Sequence, residues 1–547
     1  MQDYDLGSYN RAITTTSAEA QAWFDRGLVW TYAYNHEEAI ACFERALEHD
    51  ADCAMAHWGI AYAIGPNYNK PWEAFEPDEQ PEALGRARVA IEAARRAAPD
   101  TTPVEQALIG ALDHRYPDAS PEEFGAFNDA YAAAMRAVHA AHGDDLDVAA
   151  LFAEAIMNRT PWQLWNLATG EPAEGAGTAE AITVLEHAFD TDPAAWDHPG
   201  LLHMYIHLQE MSPHPEKALR HGDRLATLVP DAGHLLHMPT HVDVLCGNYE
   251  DVVSRNHCAI VADRKYLADR GANNFYSVYR CHNYHFKVYG AMFLAQPTAA
   301  LEAADELIAT LDEGFLGEMA DWFEAFVPMR QHVLVRFGMW DAILAQPLPA
   351  DAALYAVTTA MIRYARAVAL ANLGRCEEAE AERAAFAEAL AAVPESRMLF
   401  NNTCHDILAI AEQMMLGEIA YHAGRHETAF AHLERAVAMD DGLPYDEPWG
   451  WMQPVRHALG ALLLERGRLD EAEAVYRADL GLDATLARPC RHPDNIWSLT
   501  GLEACLAARG ESAEILHVRQ RLALARARAE VAVRASCFCA RHAVAAA

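Results

Sequence analysis

No stretch of this 547-residue chain approaches the roughly 18 consecutive apolar residues that a bilayer-crossing helix needs, so no membrane partner is expected. The opening residues, MQDYDLGSYNRAITTTSAEA, lack a basic segment followed by an apolar core, which predicts a cytoplasmic protein without a secretory signal. Positive charge is scarce. Lys and Arg number 42 against 79 Asp and Glu, a net charge of −37 with histidine neutral, which repels phosphate backbones and argues against nucleic acid as a partner. The plainer reading of this acidity is solubility alone. Eleven cysteines lie scattered without a framework, as reduced thiols would, and Cys537 and Cys539 are one residue too close for a redox CxxC and read as incidental. Also missing are HExxH, the phosphate-cradling GxxxxGK[ST], GxGxxG after a strand, and the GxSxG elbow, which disfavours zinc proteases of that type, common nucleotide enzymes and serine hydrolases.

Alternating β-branched runs are nearly absent too, while alanine is abundant and apolar residues recur at i, i+3 and i+4, so the chain reads as helical. Within that text a repeat is legible. Gly27, Ala39, Phe43 and Ala46 stand at offsets 0, 12, 16 and 19, and the same offsets return at Gly417, Ala429, Leu433 and Ala436. They return again at Gly460, Ala472 and Tyr476, and more weakly at Gly501 and Ala513, with degenerate units around Gly247 and Gly374. Small and aromatic residues so spaced let two antiparallel helices of a tetratricopeptide repeat (TPR) pack closely. The prediction is an all-α, TPR-like α-solenoid, a superhelix of helical hairpins. It has N-terminal repeats over 1–180, a histidine-rich middle over 181–345, C-terminal repeats over 346–535 and a tail over 536–547.

The middle is set apart by histidine. Eleven of the 27 histidines fall between His198 and His285, where an even spread would place about four. His203 and His207 are four apart with Glu210 three further on, so a helix would present all three on one face. His237 and His241 are also four apart, but Pro239 between them favours a helix beginning near Met238 or Pro239 with His237 outside it, which puts His241 ahead of His237 as a ligand. His282 and His285 are three apart and are equally readable as ligands or as hydrogen-bonding core residues. Neutral imidazole is the commonest ligand for zinc, copper and iron, and a set rich in nitrogen and poor in carboxylate is unlike magnesium or calcium chemistry. The candidate metal ligands are therefore His203, His207, His237, His241, His282 and His285. The alternative is a buried helix whose histidines bond to the backbone or to carboxylates.

The segments TYAYNHEEAIACFERALEHDADCAMAHWGIAYAIGPNYN, DLDVAALFAEAIMNRTPWQLW, DHPGLLHMYIH, PDAGHLLHMPTH, HNYHF and DEPWGWMQPVRHALGALLLERGRLDEAEAVYRADL together resemble the tetratricopeptide repeat protein 38 family, also called StaR-like proteins. The resemblance runs over most of the chain. It implies an all-helical repeat fold and, in bacteria, frequent association with natural-product gene clusters, without a settled reaction. The family's histidine motifs fall on His198, His203, His207, His234, His237, His241, His282 and His285, and Thr240 stands where the family commonly has serine.

These features together predict a metal-dependent enzyme, an oxidative tailoring catalyst with a histidine-held copper or iron centre acting on a small-molecule or carrier-bound natural product. A zinc hydrolase and a non-catalytic scaffold binding a protein partner on its concave face are the alternatives. Glu210, Glu154, Tyr205 and Tyr284 are candidates for acid/base or ligand-orienting roles, although Glu154 reads at least as well as a charge on a helix surface. In DDGLPYDEPWGWMQPVRH, the residues Asp441, Tyr445, Glu447, Trp449, Arg456 and His457 are candidates for a substrate-binding rim, or for a wedge between repeats.

Overall fold

The structure is a computed structural model that describes residues 4–77, 79–116, 124–510 and 513–540. Helix follows helix, and among the described residues the only strands are two antiparallel pairs of two residues each, Trp165–Asn166 with Glu171–Pro172 and Met398–Leu399 with Asn402–Thr403. The all-α, TPR-like solenoid class holds. Contacts divide the chain into two units, one of residues 1–242 with 261–269 and one of residues 243–260 with 270–547. The division falls inside the histidine-rich section of 181–345, not at either of its ends.

In the first unit, Ala18–Tyr32 and His36–His49 form a hairpin with Ala54–Ile64 beside it. The reason is visible at Phe43. A Cβ at Gly27 would lie 2.5 Å from the Phe43 ring and one at Gly59 would lie 2.6 Å from it, so the ring is gripped between two helices that only glycine lets come so close. Ala39 and Ala46 are fully buried on the same face. In the second unit Tyr476 plays the part of Phe43, its ring facing Gly460 and Gly501.

Hairpin turns in the second unit repeat one device. Gly374, Gly424 and Gly467, each followed by arginine, take φ of 75°, 79° and 73° between the helix pairs Ala356–Asn372 and Cys376–Ala391, Cys404–His422 and His426–Asp441, and Val455–Glu465 and Leu469–Asp479. Gly374, like Gly247 with φ 81°, is thus a turn glycine, and the close-packing position occupied by Gly417 and Gly460 is a different one. In the hairpin Ala18–Tyr32 and His36–His49 the turn residue at positive φ is Tyr34, at 55°. Cys537 and Cys539, read from sequence as an incidental pair, are joined by a disulfide.

Candidate metal centre

Four elements of the first unit meet around a knot of imidazoles. The helix Pro199–Glu210 carries His203 and His207 one turn apart, fully buried along with the rest of the helix. Its start is secured by His198, whose Nδ1 accepts from the Leu201 N–H at 3.2 Å while Nε2 donates to Asp147 at 3.2 Å. A short helix, Gly233–His237, ends where Pro239 opens the next, Pro239–Cys246, so His234 and His237 precede the proline and His241 follows it. The fourth element is the Tyr34 turn.

Hydrogen bonds fix the tautomers. His203 Nδ1 lies 2.7 Å from the carbonyl of Tyr32, an acceptor only, so Nδ1 carries the proton and Nε2 keeps its lone pair. Glu210 accepts from His207 Nδ1 at 3.0 Å and from His241 Nδ1 at 2.8 Å. One buried carboxylate therefore turns two imidazoles, leaving the Nε2 edges to face elsewhere. The Nε2 atoms of His203 and His207 are buried and, among the described residues, have no hydrogen-bond partner. One ligand atom each from His203, His207 and His234 lie within 4.8 Å of one another. Beside them His237 Nε2 and His241 Nε2 are 2.8 Å apart.

Burial favours the neutral form of His203, His207 and His234. Loss of hydration is the main cause, and neighbouring imidazoles add to it, pushing His203, His207 and His234 well below the usual histidine range. Uncharged imidazoles with converging lone pairs are what a transition metal requires.

Aromatic rings wall the cluster. Tyr34 lies 4.6 Å from His203 and stacks 5.6 Å from His234, while Tyr68 sits 4.8 Å and Trp162 5.7 Å from His207. Trp162 is partly exposed, the one of these three rings that reaches solvent.

Behind Tyr34 lies Glu154. It is buried, not a surface charge: Tyr62 donates to its Oε2 at 2.5 Å, and its partners include Asn158 and Tyr34. Burial raises its pKa above the ordinary carboxylate value, although the Tyr62 hydrogen bond and the Arg115 charge act to lower it.

Of the sequence candidates, His203, His207, Glu210, His237 and His241 come together, with Glu154 adjoining through Tyr34. Tyr205 faces away, donating to Glu186 at 3.0 Å and packing on His221, because residues two apart on a helix point in different directions. His282, His285 and Tyr284 are buried on the helix Ser277–Phe293 of the second unit. The rim expected at 441–457 is a set of largely buried groups, several of them paired within the segment. Arg456 pairs with Asp441, Tyr445 donates to Glu447, and Trp449 Nε1 donates to the Asp440 carbonyl at 2.9 Å. His457 sits between Arg336 at 2.8 Å and Asp479 at 3.0 Å, and burial lowers it to about 4.

Two contributors were not singled out as site residues from sequence. His234 was legible only through the family-like motif GHLLHMPTH, since it is seven residues from His241 and on a separate helix. Tyr34 had a fainter signal, a bulky residue at the hairpin turn where other repeats carry glycine.

No protein-family model matches the chain, and no curated protein matches it in sequence. Solved structures similar to it match most of the chain at low sequence identity. Human IFIT1, as a dimer with m7Gppp-AAAA, is 10% identical over 94% of this chain and 92% of that one, with a TM-score of 0.33. Yeast Tom70 is 10% identical over 92% of each chain, with a TM-score of 0.28. Naa15/Naa10 bound to HypK-THB is 14% identical over 92% of this chain and 70% of that one, with a TM-score of 0.22. At such identities and scores the likeness assigns no ligand and no activity.

Proposed function

We propose that this protein is a TPR-like scaffold whose first unit holds a transition-metal ion through His203, His207 and His234, with Glu210 orienting the ligands. The observation that carries the reading is the pair of buried Nε2 lone pairs on His203 and His207, with tautomers set by Tyr32 and Glu210 and with no partner for them among the described residues. Leaving such atoms unsatisfied costs about 1–3 kcal/mol each, a cost that coordination removes. All-imidazole ligation suits copper, iron or zinc. The segments that build the cluster are those resembling the tetratricopeptide repeat protein 38 family, and membership of that family is part of this proposal. A helical-repeat fold offers extended surface to a protein partner, which supports the scaffold at least as well as an enzyme.

A catalytic reading is favoured by one observation, a buried Glu154 with raised pKa in contact with Tyr34 beside the imidazoles. Three protein ligands leave a coordination position open, and an ion there can polarise a substrate or, if copper or iron, exchange electrons. Burial raises the Glu154 pKa, which favours its protonated form, and Tyr34 lies between it and the ligands. The substrate would be a small or carrier-bound molecule, with oxidation by copper or iron as the finer reading and hydrolysis by zinc as its rival.

Elemental analysis of untagged protein decides first. Wild type should carry metal that His203→Ala/His207→Ala loses while keeping its helical signal, and an unchanged metal content in that variant rejects the ligands. Metal-free protein reloaded with copper, iron or zinc, and assayed on cell extracts with and without oxygen, then separates the readings. Turnover requiring oxygen and copper or iron supports oxidation, turnover with zinc under anaerobiosis supports hydrolysis, and no turnover alongside tight partner binding supports the scaffold.

A further inference from the structure

We propose that the second unit contains a separate soft-metal site, formed by His285, His332 and Met452, that binds a cuprous ion. The three residues come from distant parts of the chain. His285 is on the helix Ser277–Phe293, His332 is on Met329–Arg336, and Met452 is in the segment leading into Val455–Glu465. His285 Nε2 lies 2.8 Å from Met452 Sδ. The segment carrying Met452 also holds His332, with the Trp451 ring edge-on to that imidazole at 5.0 Å and Gln453 Nε2 donating to the His332 carbonyl at 3.3 Å.

All three side chains are buried, and among the described residues Nδ1 of His285 and Nδ1 of His332 have no hydrogen-bond partner. A thioether is only a weak acceptor, so the Met452 contact does not satisfy His285 either. His285 turns Nε2 to the Met452 sulfur, and the residues on either side of Met452 contact His332, so one segment gathers two buried imidazoles and a thioether. Burial pushes both rings down to about 3, the proximity of His332 adding to the effect on His285, so their lone pairs are free of protons at neutral pH.

The chemistry of the set selects the ion. Two imidazoles and a thioether carry no charge, and among the described residues neither ring bonds to a carboxylate, in contrast to His207 and His241 on Glu210. Thioether ligation in an apolar surround suits monovalent copper and gives zinc no advantage. The surround is built for the purpose. Phe326 lies 5.7 Å from His285, and Phe400 stacks on it at 6.2 Å. Phe400 holds a left-handed φ of 49°, a backbone conformation that a bulky residue adopts at a cost and that here brings the ring over the imidazole.

None of these residues belongs to the first unit's cluster, so the two sites succeed or fail separately. The test uses the full chain in the His203→Ala/His207→Ala background, with and without Met452→Leu, titrated anaerobically with Cu(I) against the chelator bathocuproine disulfonate. Copper bound by cysteine thiols is common to both proteins and cancels in the comparison. Met452→Leu keeps volume and apolar character, and far-UV circular dichroism of the metal-free proteins checks that the fold is kept. A companion His332→Gln variant repeats the test if it is not. The expected result on either substitution is loss of one cuprous equivalent, with zinc binding unchanged by Met452→Leu. A folded Met452→Leu or His332→Gln protein with undiminished Cu(I) stoichiometry and affinity overturns the proposal and leaves these residues as core packing.

Discussion

Glu210 is the residue on which the first unit's cluster turns, because its two oxygens set the orientation of His207 and His241 at once. Glu210→Gln keeps the shape and replaces one acceptor oxygen with a donor, so one imidazole loses its anchor. Metal affinity measured by chelator competition should fall about 10–100-fold, the usual effect of removing a group that orients a ligand. Affinity equal to wild type would show that the ligands are positioned by packing alone. The same residues predict a pH dependence. His203, His207 and His234 are pushed well below 6.5 by burial, so below about pH 6.5 the unfolded chain takes up protons that the folded chain does not. The folded pKa is the lower one, hence the contribution is neutral above that pH and stability is lost as pH falls, by up to about 1.4 kcal/mol per pH unit for each histidine. Metal-free protein should therefore melt progressively earlier from pH 7 to pH 5, and His203→Gln/His207→Gln should flatten that trend. Equal slopes for the two proteins would remove these histidines as its cause.

At the scale of the element, the helical hairpin depends on an aromatic ring lodged between two glycines. A Cβ at Gly501 would stand 2.1 Å from the Tyr476 ring and one at Gly460 2.6 Å from it, distances no side chain tolerates without a shift. Gly501→Ala is expected to destabilise by about 1–3 kcal/mol in urea denaturation, and Tyr476→Leu in the same chain should return part of that loss, since residues in contact do not act additively. Strict additivity of the pair would mean that the helices adjust elsewhere. The turns show how the same element is altered for a site. Gly374, Gly424 and Gly467 adopt positive φ freely, whereas Tyr34 adopts it at a cost and thereby brings its ring to His203 and His234. The offsets of glycine, alanine and aromatic residues were readable because close helix packing demands small residues at fixed positions. The two roles of glycine were not distinguishable by spacing alone, which is why Gly247 and Gly374 looked like degenerate packing positions.

For the whole molecule, metal binding and stability are one equilibrium. A ligand that binds only the folded chain adds about 2.7 kcal/mol at a free concentration 100 times its Kd. Zinc titrated into metal-free protein should raise Tm, His203→Ala/His207→Ala should abolish most of the rise, and Met452→Leu should leave it in place; a rise insensitive to His203 and His207 places the zinc elsewhere. The net charge of −37 acts over the whole chain as self-repulsion, which moderate salt screens.

The sequence by itself determined what is periodic or local: helices from apolar spacing, hairpins from glycine and alanine offsets, and the shared face of His203, His207 and Glu210 from a turn of 3.6 residues. It also placed the start of the helix at Pro239, since a missing N–H is tolerated only in a first turn. Only the tertiary structure decided which faces meet. His234 joins His203 and His207 because separate helices pack together, and His332 and Met452 come to His285 across 47 and 167 positions of chain. Such pairings depend on how helices stack, which local spacing does not encode. The fate of the 441–457 segment had the same cause. Its Trp, Arg and His side chains suit a binding rim and a buried knot equally by type, and their partners, Asp440 for Trp449, Asp441 for Arg456, and Arg336 and Asp479 for His457, became decisive only once packing brought them within hydrogen-bond reach.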